Sequence, residues 1–213
     1  MIKKEFFKTP IWVENKKEFL TSLDKASNKY VKASKNIPKT KEHIKKYGDF
    51  GISHHSTPLT FDNNFLDLRN YIGNKSSEFL DFQGFDVSSY TLILNEFWVQ
   101  EFSKKGGGHH SAHVHWNQHV SGFYFLKCSD KTSYPVFHEP RQGAEMTKLP
   151  LKNQSQVTLG TNQIHYKPQP GMIIIFPSYV PHQFTIDAGL EPFRFIHFNI
   201  KAIEKTILTK EKK

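Results

Sequence analysis

The chain has 213 residues, of which 37% are hydrophobic, and it carries a formal net charge of +9 and a single cysteine. It is long enough for one domain with a sizeable core and short for two, and it holds no run of about 18 apolar residues that could cross a membrane. A basic start without an apolar segment behind it predicts no signal peptide, and a lone cysteine cannot form an internal disulfide. We therefore expect a cytoplasmic protein.

The positive charge is concentrated at the two ends of the chain. Residues 1–50 carry 13 lysines and 6 acidic residues, and residues 201–213 carry 5 lysines and 2 glutamates, which leaves a charge of −1 for the rest. Lys-rich ends can attract nucleic acid, but the strand-forming segments lack a basic and aromatic stripe. We therefore expect solvated ends and no nucleic-acid partner.

The N-terminal part of the chain predicts an edge strand followed by two helices. Residues 6–13 form an extended pattern in which Pro10 suggests the edge of a sheet. Apolar residues recur at helical spacing in residues 16–32 and 63–82. The polar segment between them, residues 35–56, is expected to be irregular.

From residue 89 the pattern changes to short strands rich in aromatic and β-branched residues, separated by Gly, Pro, Asn and Ser. The strands are predicted at residues 90–102, 122–127, 134–138, 171–176, 183–186 and 193–200. We predict one domain, residues 1–213, with a support region at 1–88 and a β core at 89–203. The fold class is mainly β, or α+β, with the helices packed outside a barrel or sandwich, whose edge strands would allow a homodimer.

The strand half of the chain holds a dense group of histidines. Five lie within residues 106–119, and among them His113 and His115 are two positions apart, a spacing at which strand side chains share a face. Imidazole suits iron, zinc, copper and nickel. His182 follows a buried strand and a Pro-bounded turn, so it can complete a metal site, although a surface role for these histidines stays open.

Two arginines in the strand half are candidates for ligand binding. Arg194 lies in an apolar strand that contains no acid, and a guanidinium inside a barrel needs an anionic partner. A bound carboxylate would supply one, whereas an arginine on the outer side of the strand would need none. Arg141 either contacts a substrate at the mouth of the barrel or forms a local salt bridge with Glu139.

The order of these segments resembles the 2-oxoglutarate- and Fe(II)-dependent oxygenases of bacteria and phages that are related to prolyl hydroxylases. The matching segments are HVH at residues 113–115, SGFYFL at 121–126, PGMIIIFPSYVPH at 170–182 and FRFIHFNI at 193–200. The segment FKTPIW at residues 7–12 and the segment FHEPR at 137–141 match as well. The resemblance therefore covers nearly the whole chain.

This resemblance implies a double-stranded β-helix, the jelly-roll barrel that cupins share. It implies that His113 and His182 ligate Fe(II), with His115 where the wider superfamily usually has a carboxylate. It also implies that Arg194 binds the far carboxylate of the cosubstrate 2-oxoglutarate, with Tyr124 assisting. The substrate would be a small molecule or a peptide.

Two questions stay open on the sequence. His115 is either a third ligand, or it lies behind the ligands while water or an acid elsewhere completes the site. A cupin-type metalloenzyme without 2-oxoglutarate, or a non-catalytic barrel that binds a partner, would use a similar scaffold. Arg194 and the turn at residues 176–182 favour the oxygenase.

Overall fold

The computed structural model describes residues 1–146 and 149–206, and most of its secondary structure is β. The helices are α1 (Leu20–Lys35), α2 (Pro38–Tyr47), α3 (Leu66–Phe82) and the short α4 (Gln142–Glu145), and 3-10 turns at Lys17–Phe19 and Asn63–Phe65 lead into α1 and α3. The strands are β1 (Trp12–Asn15), β2 (Ser53–His55), β3 (Tyr90–Phe102), β4 (His110–His113), β5 (Val120–Lys127), β6 (Pro135–His138), β7 (Gln163–His165), β8 (Met172–Pro177), β9 (His182–Phe184) and β10 (Arg194–Glu204).

The strands form two antiparallel sheets. The larger sheet has the order β1-β8-β5-β10-β3-β2, and the smaller has the order β4-β9-β6-β7. Phe184 of the smaller sheet packs against Phe123 and Phe195 of the larger one, so the sheets face each other across an aromatic interior. The mainly β architecture with helices outside matches the sequence prediction.

Each face of the larger sheet buries a separate apolar cluster, because successive side chains on a strand point to opposite sides. On β10, Ile196 and Phe198 belong to the cluster that α1 and α3 cover, whereas Phe195 belongs to the cluster inside the barrel. Eight phenylalanines are buried in that inner cluster: Phe102, Phe123, Phe125, Phe137, Phe176, Phe184, Phe193 and Phe195. The interior is therefore filled by side chains over much of its length.

Gly122 and Cys128 are two small residues that lie in tightly packed parts of the barrel. Gly122 on β5 has no room for a side chain, because a Cβ there would collide with the Phe198 ring and the Ile174 carbonyl oxygen. Cys128, which follows β5, is buried beside the inner cluster, and its thiol lies 3.5 Å from the Pro168 carbonyl oxygen. Burial raises the pKa of the Cys128 thiol to about 12.

The expectation of an irregular segment at residues 35–56 is wrong, because this segment contains α2 and β2. Helix α2 begins at Pro38, where the missing N–H costs nothing, and no residue of it is buried. Its lysine-rich composition hid the helical pattern, since it has almost no apolar face to recognise. Strand β2 pairs with β3 and brings two histidines to the edge of the larger sheet.

Two expectations from the sequence concern the basic C-terminal segment and the apolarity of the helices. Residues 207–213, which hold most of the basic C-terminal segment, lie outside the described residues. None of the helices in the described part of the chain combines the length and the apolarity that a membrane span requires.

Candidate metal centre

Three histidines converge between the two sheets. His113 ends β4 and His182 begins β9, and these two residues pair directly across the antiparallel strands. One ring nitrogen from each of His113, His115 and His182 lies within 4.8 Å of the others, and the Nε2 atoms of His115 and His182 are 3.2 Å apart. The structure thus brings together the three residues that the sequence assigned to the metal.

Local backbone features place these rings. Gly106 and Gly107 have φ angles of +83° and +79°, which suit glycine, and they turn the chain into β4. Strand β4 ends at His113, so strand alternation does not place His115. Instead the backbone N–H of His115 donates to the Ser178 carbonyl oxygen over 3.0 Å, which ties it to the turn that precedes His182.

Two of the three rings are oriented for metal binding by backbone carbonyls. The Nδ1 of His113 lies 2.7 Å from the Ser111 carbonyl oxygen, and the Nδ1 of His182 lies 3.0 Å from that of Val180. A carbonyl oxygen only accepts, so each Nδ1 carries the proton and each Nε2 keeps its lone pair. This pattern of support behind a ligating imidazole is typical of metal sites, and the donor set fits Fe(II).

Burial keeps His115 and His182 neutral. It lowers the pKa of His115 to about 3 and lowers the pKa of His182, and neighbouring histidines push both in the same direction. His110, whose ring lies 5.9 Å from that of His113, also has its pKa lowered to about 3, mainly by burial. Neutral rings leave lone pairs available to a cation at pH 7.

These shifts predict a loss of stability in acid for the protein in the presence of a chelator. Below pH 6.5 the unfolded chain protonates His110 and His115 while the folded chain does not, so the free energy of unfolding falls as the pH decreases from 6.5 toward 3. Each histidine contributes about 1.4 kcal/mol per pH unit over that range. Urea unfolding at pH 7.0 and 5.5 measures the slope, which His110→Gln should reduce. A slope that His110→Gln leaves unchanged would contradict the assignment.

The carboxylate of Glu96, which was not predicted from the sequence, lies on the side of His115 away from His182. The Asn199 amide donates to Glu96 Oε2, and its Nδ2 lies 3.0 Å from His115 Nδ1. Burial lowers the pKa of His197, the residue next to this group on β10. Glu96 could have been noticed, because Glu96, Trp98 and Gln100 place polar groups at alternate positions of β3, next to the apolar Phe97 and Val99.

Arg194 does not reach the metal centre, which corrects the expectation that it binds 2-oxoglutarate there. It lies on the helix-covered face of β10, opposite His197. Its Nε and Nη2 donate to Glu101 Oε2 over 2.8 and 2.5 Å, and its Nη1 donates to Asn28 and Ser27 on α1. The anionic partner that the sequence left open is therefore a protein carboxylate.

Tyr124 is also on the outer face, which corrects its assignment as a cosubstrate contact. It is fully buried in the cluster under the helices, and its hydroxyl donates to the Lys16 carbonyl oxygen over 2.8 Å. Both corrections have one cause: Tyr124 and Ile196 pair in register on β5 and β10, and this register puts Tyr124 on the same face as Arg194.

Arg141 lies at the rim of an open cavity of about 520 Å³ beside the metal centre. Its Nε and Nη2 donate to the Glu139 carboxylate over 2.8 and 2.7 Å, which is the local salt bridge that the sequence left as an alternative. The cavity extends to Phe137 and Val180, and the Val180 carbonyl holds His182. A substrate role for Arg141 stays a prediction.

The histidine cluster supplies ligands for iron, but no basic side chain of the residues described is in contact with it to bind the far carboxylate of 2-oxoglutarate. The described hydrogen bonds and ring contacts of His113, His115 and His182 include no lysine or arginine. Trp98 offers an uncharged hydrogen-bond donor that could bind the far carboxylate of 2-oxoglutarate. Its ring packs 4.6 Å from that of His197, and its Nε1 is buried without a hydrogen-bond partner among the described residues. A far carboxylate would therefore meet neutral donors here.

Comparison with known proteins identifies the barrel. A family model described as "Putative 2OG-Fe(II) oxygenase" matches residues 96–199, which run from Glu96 to Asn199. No curated protein matches.

Solved structures resemble the chain at low sequence identity. A prolyl-4-hydroxylase from Pseudomonas putida is 12% identical with a TM-score of 0.52, covering 91% of this chain and 93% of that one. A Trichoplax adhaerens prolyl hydroxylase in complex with a peptide fragment of hypoxia inducible factor is 10% identical with a TM-score of 0.54, covering 89% and 82%. An oxidoreductase of the 2OG-Fe(II) oxygenase family from Burkholderia pseudomallei is 11% identical with a TM-score of 0.46. The match covers 66% of this chain and 59% of that one.

The two prolyl hydroxylases show the fold, which is the predicted double-stranded β-helix. The family model spans His113, His115 and His182. From these findings, residues 96–199 form a 2OG-Fe(II) oxygenase domain, and the members of that family are dioxygenases that use Fe(II) and 2-oxoglutarate.

Proposed function

We propose that the chain oxidises a C–H bond of a small-molecule or peptide substrate with Fe(II) held by His113, His115 and His182. The observation that carries this assignment is the convergence of three imidazoles whose ligating atoms lie within 4.8 Å of one another. Iron bound there would supply the coupling between oxidative loss of carbon dioxide from 2-oxoglutarate and oxidation of the substrate.

The residues around the centre orient these ligands and exclude water. The Ser111 and Val180 carbonyls keep the Nδ1 protons of His113 and His182 turned away from the metal position. Phe123 and Phe176 pack against the His182 ring at 5.7 and 4.8 Å. The His182 side of the site is therefore dry, which protects an oxidising centre from side reactions.

The far carboxylate of 2-oxoglutarate is assigned to Trp98 rather than to an arginine. An indole N–H that is buried without a partner costs free energy, and a carboxylate oxygen would satisfy it. Trp98 shares the inner face of β3 with Glu96 and Gln100, and its ring lies 6.1 Å from that of His55. These groups together place polar side chains on the inner face of β3, where the Trp98 ring packs against His197.

The cavity next to the centre is the proposed substrate groove. Its walls come from the N-terminal residues 5–9, from the end of β6 and from residues 157–164, and they mix apolar side chains with polar and charged ones, among them the Arg141–Glu139 pair. A prolyl hydroxylase of the same fold binds a peptide fragment. A groove of about 520 Å³ would hold a short extended peptide or a small molecule.

We expect the purified protein, supplied with Fe(II), oxygen and 2-oxoglutarate, to form succinate slowly even without its substrate. Iron loading under anaerobic conditions followed by 2-oxoglutarate should produce the weak visible charge-transfer band of a bound 2-oxo acid. The spectrum measures binding and the succinate assay measures turnover, so the two steps are separated.

Iron binding without the band or succinate would overturn the proposal and favour a cupin-type metalloenzyme. If the band appears but Trp98→Phe binds 2-oxoglutarate as tightly as the parent protein, the assignment of Trp98 is wrong while the oxygenase function stands. Trp116 offers a matched control, because its side chain is 83% exposed and Trp116→Phe should change neither measurement.

A further inference from the structure

A second group of ligand atoms lies on the other side of His115. A carboxylate oxygen of Glu96 and ring nitrogens of His115 and His197 all lie within 4.8 Å of one another. The His115 ring faces both groups, because its Nε2 is 3.2 Å from His182 Nε2 whereas its Nδ1 is 3.0 Å from Asn199 Nδ2. One imidazole therefore separates two clusters of donors.

One ligand atom of this second group has no hydrogen-bond partner among the residues that the structure describes. The Asn199 amide donates to Glu96 Oε2, and its Nδ2 lies 3.0 Å from His115 Nδ1. His197 Nε2 is left without a hydrogen-bond partner among the described residues, although its side chain is only 5% exposed and Glu96 Oε2 is 3.5 Å away. Leaving a buried polar atom unpaired is costly.

We propose that Glu96, His115 and His197 form a second divalent-cation site. A cation would satisfy all three ligand atoms, including His197 Nε2, which is unpaired among the described residues. One carboxylate and two imidazoles are ligands that zinc and iron accept. Atoms bound at about 2.1 Å lie at most about 4.2 Å apart, so a pair at the 4.8 Å limit must close by roughly 0.6 Å, which side-chain rotation provides.

Asn199 can change from a competitor into a ligand of this cation. Half a turn of its amide places Oδ1 where Nδ2 now lies. Ser121 allows this turn, because its hydroxyl donates to Asn199 Oδ1 over 2.5 Å and also contacts the Ser178 hydroxyl at 2.8 Å, where either oxygen can donate. After the turn Ser121 donates to Ser178 and accepts from the amide.

The second site competes with the proposed iron site for His115. A cation on Nδ1 leaves the proton of the neutral ring on Nε2, where it points at His182 rather than offering a lone pair. Occupation of the second site therefore removes His115 from the iron ligands, a consequence that rests on the proposed function. Zinc at this position would weaken iron binding.

The test uses the full chain with the first site removed. His113→Ala/His182→Ala, checked for folding by circular dichroism, should still bind about one Zn(II) per chain in calorimetry. Adding Glu96→Gln should weaken that binding more than a hundredfold, since it removes a ligand rather than a supporting group. Glu42→Gln is the matched control, because Glu42 is exposed on α2.

Absence of zinc binding in the folded double variant would overturn the proposal, as would zinc binding that Glu96→Gln leaves unchanged. Should the double variant not fold, His113→Ala alone answers the same question, because it removes a ligand of the first site only and adding Glu96→Gln should again weaken zinc binding more than a hundredfold. Neither outcome depends on whether the first site holds iron.

Discussion

Replacing His182 with alanine is expected to abolish the binding of Fe(II) and the formation of succinate. His182 is 1% exposed, its Nδ1 proton is held by the Val180 carbonyl, and its Nε2 is directed at the other two rings. Loss of a supporting residue costs about ten- to a hundredfold in metal affinity, so loss of a ligand should exceed that range. Metal analysis after anaerobic dialysis against Fe(II) measures the effect.

Folding must be separated from ligation in this experiment, because the His182 ring is packed among aromatic side chains. His182→Leu keeps most of the volume and removes the donor, so it should lose iron as completely as His182→Ala while unfolding at a higher urea concentration. His109→Ala is the control, since His109 belongs to the same histidine-rich segment but is exposed. Iron retained by His182→Leu at parental affinity would refute the centre.

Replacing Arg194 with alanine should destabilise the fold by about 3–5 kcal/mol, the usual cost of leaving a buried charge without its partner. Glu101 is 2% exposed and would lose two hydrogen bonds from the guanidinium. Lys35 still contacts Glu101 Oε1 at 2.5 Å, so the loss should fall at the lower end of the range. Urea unfolding at pH 7 measures it.

The same variant distinguishes the two roles considered for Arg194. If the arginine only anchors α1 to the larger sheet, the folded fraction of Arg194→Ala should bind iron and 2-oxoglutarate as the parent does. A large loss of 2-oxoglutarate affinity without loss of stability would restore the role that the sequence suggested. Arg141→Ala is a matched control, because its ion pair with Glu139 is exposed and its loss should leave the unfolding midpoint nearly unchanged.

The sequence was most informative where a pattern has one structural solution. Alternating aromatic and β-branched residues bounded by turn residues predicted β3 at its observed limits, Tyr90–Phe102. The spacing of His113 and His115 and the position of His182 after a turn predicted a cluster that the structure brings together. The reason given for His115 was incomplete, since it lies beyond the end of β4 and is placed by the turn at Ser178.

The assignment of Arg194 failed because β10 is a central strand with both faces buried. Periodicity groups Arg194 with Ile196 and Phe198, but it does not say which face turns inward when both are apolar. Glu96 was missed for a different reason, since its partner Asn199 is 103 positions away along the chain. Contacts at that separation depend on the register between strands, which composition does not encode.

Burial of Cys128 has a chemical consequence for a protein of this family. Only the thiolate reacts with oxidants and alkylating reagents, and a pKa of about 12 leaves roughly one thiol in 10⁵ ionised at pH 7. The side chain is also only 8% exposed. The only sulfhydryl of the chain is thus shielded from oxidation, and a thiol-directed dye would label the protein only at the rate at which this part of the barrel opens.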